Sequence, residues 1–183
     1  SEVSGSELLA LVGSIQAGLR AHGVGQGDRV AGYLPNISEA VACYLAVAGM
    51  GAIWCCVPPE MGPKSALDRL QQLEPRTLIA VDGYRWGERE VTRADDLARI
   101  SAGLPNTGIV VLPYLGTEVP EPTYESWASF TRHTSEPEIV AVAFDHPLVV
   151  LFSSGTTGAP KAIVHSHGGL LIEHLKSLSL QMD

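Results

Sequence analysis

A cluster of hydroxyl side chains, glycines and one lysine follows an apolar run near the carboxyl end of the sequence, in FSSGTTGAPK at 152–161. Glycine lets backbone N–H groups approach an anion closely, and serine and threonine add hydroxyl donors. A lysine held after a proline adds a positive charge for phosphate oxygens. The pattern predicts a phosphate-binding loop at a strand end, formed by Ser153, Ser154, Gly155, Thr156, Thr157, Gly158 and Lys161.

The spacing differs from those of the two common nucleotide loops. A GxxxxGK[ST] motif opening at Gly155 would need glycine where Pro160 stands, and Ala162 occupies the place of its metal-binding hydroxyl. A GxGxxG fingerprint is absent as well. A flexible surface turn with a solvated lysine is the alternative, but the position between two apolar strand candidates favours the phosphate loop.

Composition limits the partners of such a loop. The 183 residues are 45% hydrophobic and 17% charged, which is enough to bury a core and form one globular unit or most of one. A net charge of −8 and a pI near 5.2 leave no broad basic surface for nucleic acid. We therefore expect local recognition of a small nucleotide and no nucleic-acid partner.

The cellular setting follows from apolar runs and cysteines. The longest apolar run, 40–57, is broken by Gly49 and Gly51, so we expect no membrane span, and the amino-terminal residues do not resemble a signal peptide. The three cysteines lack the spacing of a metal site, so we expect reduced, mostly buried thiols, no metal ligands and a cytoplasmic protein. They are Cys43, Cys55 and Cys56.

Helical and strand patterns alternate along the chain. Helices are predicted over 6–22, 39–51, 64–73, 93–102 and 169–180, and strands within 23–36 and over 52–57, 77–81, 108–113, 148–152 and 162–166. Ser6 is expected to cap the first helix and Gly23 to end it, and Asn36 or Ser38 to cap the second. The second helix is apolar around nearly its whole circumference, which predicts packing between other elements.

Continuous apolar strands separated by helices predict an α/β fold, a mostly parallel sheet with helices on both faces. The proline-rich, acidic segment 117–137 predicts a surface connection with one helical turn at 124–130. The expected layout is a first αβ segment at about 1–116, a connection at 117–147 and a phosphate-loop segment at 148–183. Asp145, just before the last apolar run, is expected to be a turn or cap residue.

The loop resembles the signature [ST]-[SG]-G-[ST]-T-G-x-P-K-[GA] of the adenylate-forming superfamily, which includes acyl-CoA synthetases. Flanking stretches, notably LDRLQQLEPRTLIAVDGYRWGERE and FDHPLVVLFSSGTTGAPKAIVHSHGG, are similar to the acetoacetyl-CoA synthetase branch over about residues 5–180. The resemblance implies part of a large N-terminal AMP-binding domain. It also implies ATP, Mg²⁺ and CoA as cofactors, and acetoacetate as the acid that is adenylated and then transferred to CoA.

The same resemblance assigns the loop residues to the triphosphate of ATP and places His167, with His165 two residues before it, near the acyl and adenylate pocket. On residue type alone, packed or surface histidines are the alternative, and no catalytic residue is assigned. Where this branch is expected to have a segment like SSCSPDFG, the chain has CCVPPEMG at 55–62. This departure concerns a segment that could shape the acyl pocket.

The superfamily's ribose-binding aspartate, its TGE-type motif and its carboxyl-terminal domain with a catalytic lysine have no candidates in these residues. We therefore expect a central piece of a larger ligase. The alternatives are a noncatalytic fragment or nucleotide-binding module, or a ligase that uses acetate or propionate or that loads a carrier protein. A partial sheet is further expected to leave exposed edges and apolar surface that favour association with copies of the chain or with the missing segments.

Overall fold

Nine strands and six helices make up the computed structural model, which describes residues 3–117, 123–153 and 158–181. The strands are β1 (Arg29–Tyr33), β2 (Ile53–Val57), β3 (Thr77–Val81), β4 (Gly83–Trp86), β5 (Arg89–Thr92), β6 (Gly108–Leu112), β7 (Glu125–Ser126), β8 (Pro147–Ser153) and β9 (Lys161–Ser166). The helices are α1 (Gly5–Ala21), α2 (Ser38–Gly49), α3 (Pro63–Leu73), α4 (Ala94–Ala102), α5 (Trp127–Phe130) and α6 (His167–Gln181).

Seven strands form one sheet in the order β7-β6-β3-β1-β2-β8-β9. Every neighbouring pair is parallel except β8 and β9, which are antiparallel. The remaining strands, β4 and β5, pair with each other in a separate antiparallel hairpin. The predicted α/β fold with a mostly parallel sheet is confirmed.

Helices cover both faces of the sheet. On one face, α1 and α2 bury Ile15, Leu19 and Val47 against the strands. On the other face, the core contains Leu70 of α3 and Ile100 of α4. The central strands are largely apolar because each of their faces meets a helix layer, and all five residues of β3 are buried.

The predicted caps of the first two helices are wrong. Ser4, not Ser6, begins α1: its Oγ accepts the Glu7 N–H (3.3 Å), and its own N–H donates to the Glu7 carboxylate (2.8 Å). This is a capping box, in which two otherwise unpaired donors are satisfied reciprocally. Helix α2 has Ile37 at its N-cap and no side-chain cap bond. Gly23 does follow the end of α1, with φ +74°.

The composition of helix α2 predicted that it would be packed between other elements, and this prediction is wrong. It buries Ala42, Cys43, Ala46 and Val47, while Val41 and Leu45 are 46% and 38% exposed. The apolar residues of α2 that do not face the sheet therefore lie on the surface of the described part of the chain. No helix in the described ranges is both long and apolar enough to cross a membrane.

An extended segment at 135–140, here called the strap, crosses α1 and α2 before the chain enters β8. Gln16 is fully buried and donates its amide N–H groups to the carbonyl oxygens of Glu138 (2.9 Å) and Ala46 (3.2 Å). Its Oε1 accepts the Glu138 N–H (2.8 Å). A Cβ at Gly13 would overlap the Ser135 carbonyl, so the approach requires glycine. The carboxyl end of the predicted surface connection is therefore held against α1.

Candidate functional site

The predicted phosphate loop connects the antiparallel strands β8 and β9. The register sets Ser153 opposite Lys161 and Phe152 opposite Ala162, so the two ends of the loop meet. Gly158, which lies between them in sequence, has open space where a Cβ would be. The structure therefore brings Ser153 and Lys161 together. The other predicted residues, Ser154, Gly155, Thr156 and Thr157, lie outside the described residues.

This loop lies at the carboxyl edge of the sheet. Strand β8 runs parallel to β2, with Trp54 beside Val149, so the loop leaves the sheet at the edge where β1 and β2 also end. Strand β2 lies on one side of β1 and β3 lies on the other, so the direction in which the chain adds strands to the sheet reverses at β1. In open α/β sheets, ligands bind at the carboxyl edge near such a reversal.

A cleft of about 490 Å³ opens at the same edge, within the size range of small-molecule sites. Its walls include Asn36, which follows β1, Tyr44 from α2, and Cys56, Pro58 and Glu60 along and after β2. Burial raises the pKa of the Tyr44 phenol and of the Cys56 thiol, so both groups are neutral near pH 7. The cleft thus offers apolar walls, neutral polar groups and one acid.

The segment after β2, which departs from the expected branch pattern, is held in place at its base. The Tyr33 hydroxyl lies 2.7 Å from the Met61 carbonyl oxygen and 3.1 Å from that of Pro59. Burial is the main reason that the pKa of Tyr33 is raised to about 12, although Arg93 opposes the shift. Arg93 also donates from Nε to the Pro59 carbonyl (2.7 Å). One wall of the cleft is therefore rigidly supported.

A larger cleft of about 730 Å³ lies at the opposite, amino edge of the sheet. Its arginines already have partners: Arg29 donates to the carbonyl oxygens of Leu73 and Glu74, both at 3.0 Å, and Arg76 lies 3.4 Å from the Asp28 carboxylate. Because these cations stabilise the end of α3 and a neighbouring loop, and the phosphate loop is at the other edge, this cleft is not the candidate site.

The two predicted pocket histidines lie away from the loop. His165 pairs with Val149, four residues along β9 from Lys161, which is about 13 Å. His167 begins α6, and its buried Nε2 has no partner among the described residues. Burial, and then the His146 ring with its centroid 5.8 Å away, lower the pKa of His167. The structure does not bring either histidine to the loop ends, and their pocket role stays a prediction.

Two side chains beside the loop were missed at the level of sequence. Gln72 of α3 donates to the Pro160 carbonyl oxygen (3.1 Å), and Arg69 lies over the Phe152 ring, 5.9 Å from its centroid. No sequence signal could have identified them, because 88 residues separate Gln72 from Pro160. For metals, the described ranges contain no group of three or more His, Cys, Asp or Glu side chains that could hold an ion.

Known proteins give this geometry a family context. A family model described as AMP-binding enzyme matches residues 1–182. The chain is 43% identical over 176 residues to the acetoacetyl-coenzyme A synthetase of Rhizobium meliloti (strain 1021), covering 93% of this chain and 27% of that protein. It is 36% identical over 193 residues to a malonamoyl-CoA synthetase of Penicillium aethiopicum, covering 99% of this chain and 27% of that protein.

Among solved structures, the acetoacetyl-CoA synthetase from Streptomyces lividans superimposes with a TM-score of 0.94 at 49% identity, covering all of this chain and 28% of that one. The chain thus spans a little over a quarter of the length of the relatives that it matches. Since the family match extends over almost every residue, the chain belongs to the AMP-binding enzyme family.

Proposed function

We propose that this chain forms the phosphate-loop part, within the large N-terminal domain, of a ligase that converts acetoacetate to acetoacetyl-CoA at the expense of ATP. Family membership and the names of the relatives support the reaction class and the acid. The observation that carries the proposal is the β8–β9 register, which sets Ser153 opposite Lys161 at the carboxyl edge of the sheet.

In the first step, a carboxylate oxygen of acetoacetate attacks the α-phosphorus of ATP. The bond from that phosphorus to the oxygen bridging to the β-phosphate breaks, and pyrophosphate leaves with the electron pair. Lys161 and the hydroxyl of Ser153 would hold the β- and γ-phosphates and offset the charge that moves onto them, together with the backbone at Gly158. We assign Ser154, Gly155, Thr156 and Thr157 to the same task.

In the second step, the sulfur of CoA attacks the acyl carbon of the acetoacetyl-adenylate. The bond from that carbon to the phosphate oxygen breaks, AMP leaves, and the thiol proton passes to solvent or to a base. We assign no catalytic residue of this chain to the step. His165 and His167 are kept as proposed substrate-pocket residues, and the distance of His165 from Lys161 along β9 argues for a contact away from the triphosphate.

The described residues are compatible with Mg²⁺ that arrives with ATP. In nucleotide sites this ion is bound largely by phosphate oxygens and water, with one or two protein oxygens. The Ser153 hydroxyl at the loop end is an oxygen of the suitable type. When bound, Mg²⁺ would share the neutralisation of phosphate charge with Lys161.

A second acid is favoured by one relative, the malonamoyl-CoA synthetase. Malonamate and acetoacetate are both short acids with a carbonyl group β to the carboxylate, so a pocket that accepts one can be close to accepting the other. Acetate and propionate lack this carbonyl. Discrimination against them would require a hydrogen-bond donor placed for the β-carbonyl oxygen.

The test is acid-dependent exchange of labelled pyrophosphate into ATP by the protein expressed from its complete reading frame. We expect the fastest exchange with acetoacetate, followed by malonamate, and little with acetate or propionate. Lys161→Met should slow exchange by about tenfold or more, the loss of a charge-assisted contact, whereas Lys176→Met on the exposed surface of α6 should not.

Absence of exchange with every acid would overturn the proposal, and faster exchange with malonamate would select the second acid. A rate with acetate equal to that with acetoacetate would overturn the assignment of the substrate class. Robust exchange by the 183-residue chain alone would contradict the interpretation of the chain as one part of a larger site.

Two further properties are proposed. The three free thiols of Cys43, Cys55 and Cys56 are typical of a reducing compartment, which supports a cytoplasmic location. Self-association of two copies through the β9 edge is supported by the exposure of Ile163 (45%) and Val164 (58%) on that strand. Light scattering of the 183-residue chain should show dimers, and a monomer at high concentration would contradict this.

A further inference from the structure

The hairpin that carries the phosphate loop extends past its support in the sheet. Strand β8 is in register with β2 at Val149, whereas Val150 to Ser153 pair with β9. Strand β9 is itself at the edge of the sheet, and residues 161–164 are exposed. The hairpin strands on either side of the loop therefore need a contact outside the sheet if they are to keep a fixed position.

Helix α3 supplies such a contact on the side where the loop returns to β9. The Nε2 of Gln72 donates to the carbonyl oxygens of Pro160 (3.1 Å) and Asp68 (2.6 Å). Both N–H groups of the amide are therefore in use, and the bond to Asp68, in the preceding turn of the same helix, fixes the direction of the side chain. The Pro160 carbonyl belongs to the peptide group that immediately precedes Lys161.

The same face of α3 contacts the other side of the hairpin. Arg69, three residues before Gln72, lies on the same helix face and places its guanidinium over the Phe152 ring, 5.9 Å from the centroid. Its position is fixed by a bond from Nη1 to the Ser65 carbonyl oxygen (2.7 Å). Phe152 immediately precedes Ser153, so α3 contacts the chain just before the loop and just after it.

We propose that Arg69 and Gln72, together called the α3 brace, are positioning residues that hold the hairpin so that Lys161 meets the triphosphate of ATP. This inference rests on the proposed function. A lysine side chain is flexible, so the place from which it reaches its ligand is set by its backbone. The brace fixes that backbone through Pro160, which immediately precedes β9, and through Phe152 on β8.

The chain offers a matched control in the adjacent residue. Gln71 is also exposed on α3, and its Nε2 also donates to a distant backbone carbonyl, that of Gly103, at 3.2 Å. Gly103 lies after α4, away from the hairpin. Gln71→Met and Gln72→Met thus each remove one hydrogen bond to a distant backbone carbonyl from neighbouring positions of one helix, and Gln72→Met also removes the bond to Asp68 within α3. Only Gln72→Met removes a contact to the hairpin.

The first measurement is amide hydrogen exchange of the peptide covering residues 158–166 in the protein expressed from its complete reading frame. Gln72→Met should speed exchange by about three- to tenfold, the effect of one net hydrogen bond, and Gln71→Met should leave it unchanged. Equal exchange in the two variants would overturn the brace. This result does not depend on catalytic activity.

The second measurement separates the KM for MgATP from the other constants in pyrophosphate exchange. Gln72→Met should raise the KM for MgATP by about three- to tenfold, with the KM for acetoacetate within about twofold of the wild type. A purely structural loss would lower activity without this split and would overturn the positioning role. No exchange by the wild type would overturn the proposed function and this role with it, while hydrogen exchange would still decide whether the brace exists.

Discussion

Replacement of Gln16 by methionine tests how firmly the strap at 135–140 is held before it enters β8. The Gln16 side chain is buried, and its amide makes three hydrogen bonds, two to Glu138 and one to Ala46. Methionine has nearly the same length and volume, so the substitution removes the polar contacts and leaves little cavity. We expect a large loss of stability from this one change.

The magnitude follows from the number of bonds. At about 1 kcal/mol of net stabilisation for each, three bonds correspond to a loss of about 3 kcal/mol in the free energy of unfolding. For a chain of this size that loss lowers the melting temperature by about 6–12 °C. In the variant, the backbone N–H and C=O of Glu138 lose their Gln16 partners. Unless water reaches these two groups, the loss in the free energy of unfolding should be toward the larger end of this estimate.

The assay is urea unfolding of the 183-residue chain at pH 7, with Glu138→Ala as the control. That control keeps the backbone bonds to Gln16 and removes only the exposed salt bridge between the Glu138 carboxylate and Arg20 (2.9 Å), which contributes at most about 1 kcal/mol. A loss in Gln16→Met no larger than that of the control would refute the view that the buried amide anchors the strap.

Two other substitutions test single features of the fold. The alanine methyl of Gly13→Ala on α1 would overlap the Ser135 carbonyl, so the variant should lose about 1–3 kcal/mol in the free energy of unfolding. In the control Gly5→Ala, in the first turn of the same helix, the methyl meets no atom, so the substitution should be neutral or slightly stabilising. Thermal unfolding compares the two variants, and equal melting temperatures would contradict the close approach. His167 has a lowered pKa in the folded chain, so the unfolded chain binds the proton more readily and stability should fall as the pH drops below about 6.5. His167→Asn should flatten this decline between about pH 7 and 5 in urea unfolding, and an unchanged slope would rule out His167 as its cause.

The central strands of the sheet could be predicted from the sequence because helices cover both of their faces. TLIAV at 77–81 is apolar after its first residue, and β3 occupies the same five residues. For GIVVLP the structure ends β6 at Leu112, one residue before the proline. In such strands, one local property decides both the structure and the burial, so composition alone is sufficient.

The β4–β5 hairpin could not be predicted in this way. Most of its residues are exposed, and the feature that organises them is a turn at Gly87 with φ +60°, supported by a 2.8 Å pair between Arg85 and Glu90 on facing strands. The pairing becomes visible only when the register is known. The prediction for α2 failed for the opposite reason. Its apolar composition indicated burial on all sides, but an apolar outer face that includes Val41 and Leu45 is exposed.

The candidate site likewise has one part that could be predicted from local sequence and another part that depends on distant contacts. Hydroxyl groups, glycines and a lysine can be recognised in ten consecutive residues because the groups proposed to bind phosphate lie within one loop. In the proposed brace, the position of that loop depends on Gln72 and Arg69, far away in sequence. The strap that precedes β8 is likewise held by a distant side chain, that of Gln16. Such contacts have no sequence period, since a single side chain meets a single backbone group. Transfer of FSSGTTGAPK to another hairpin should therefore carry over the proposed phosphate donors but not the contacts from α3 that are proposed to position Lys161.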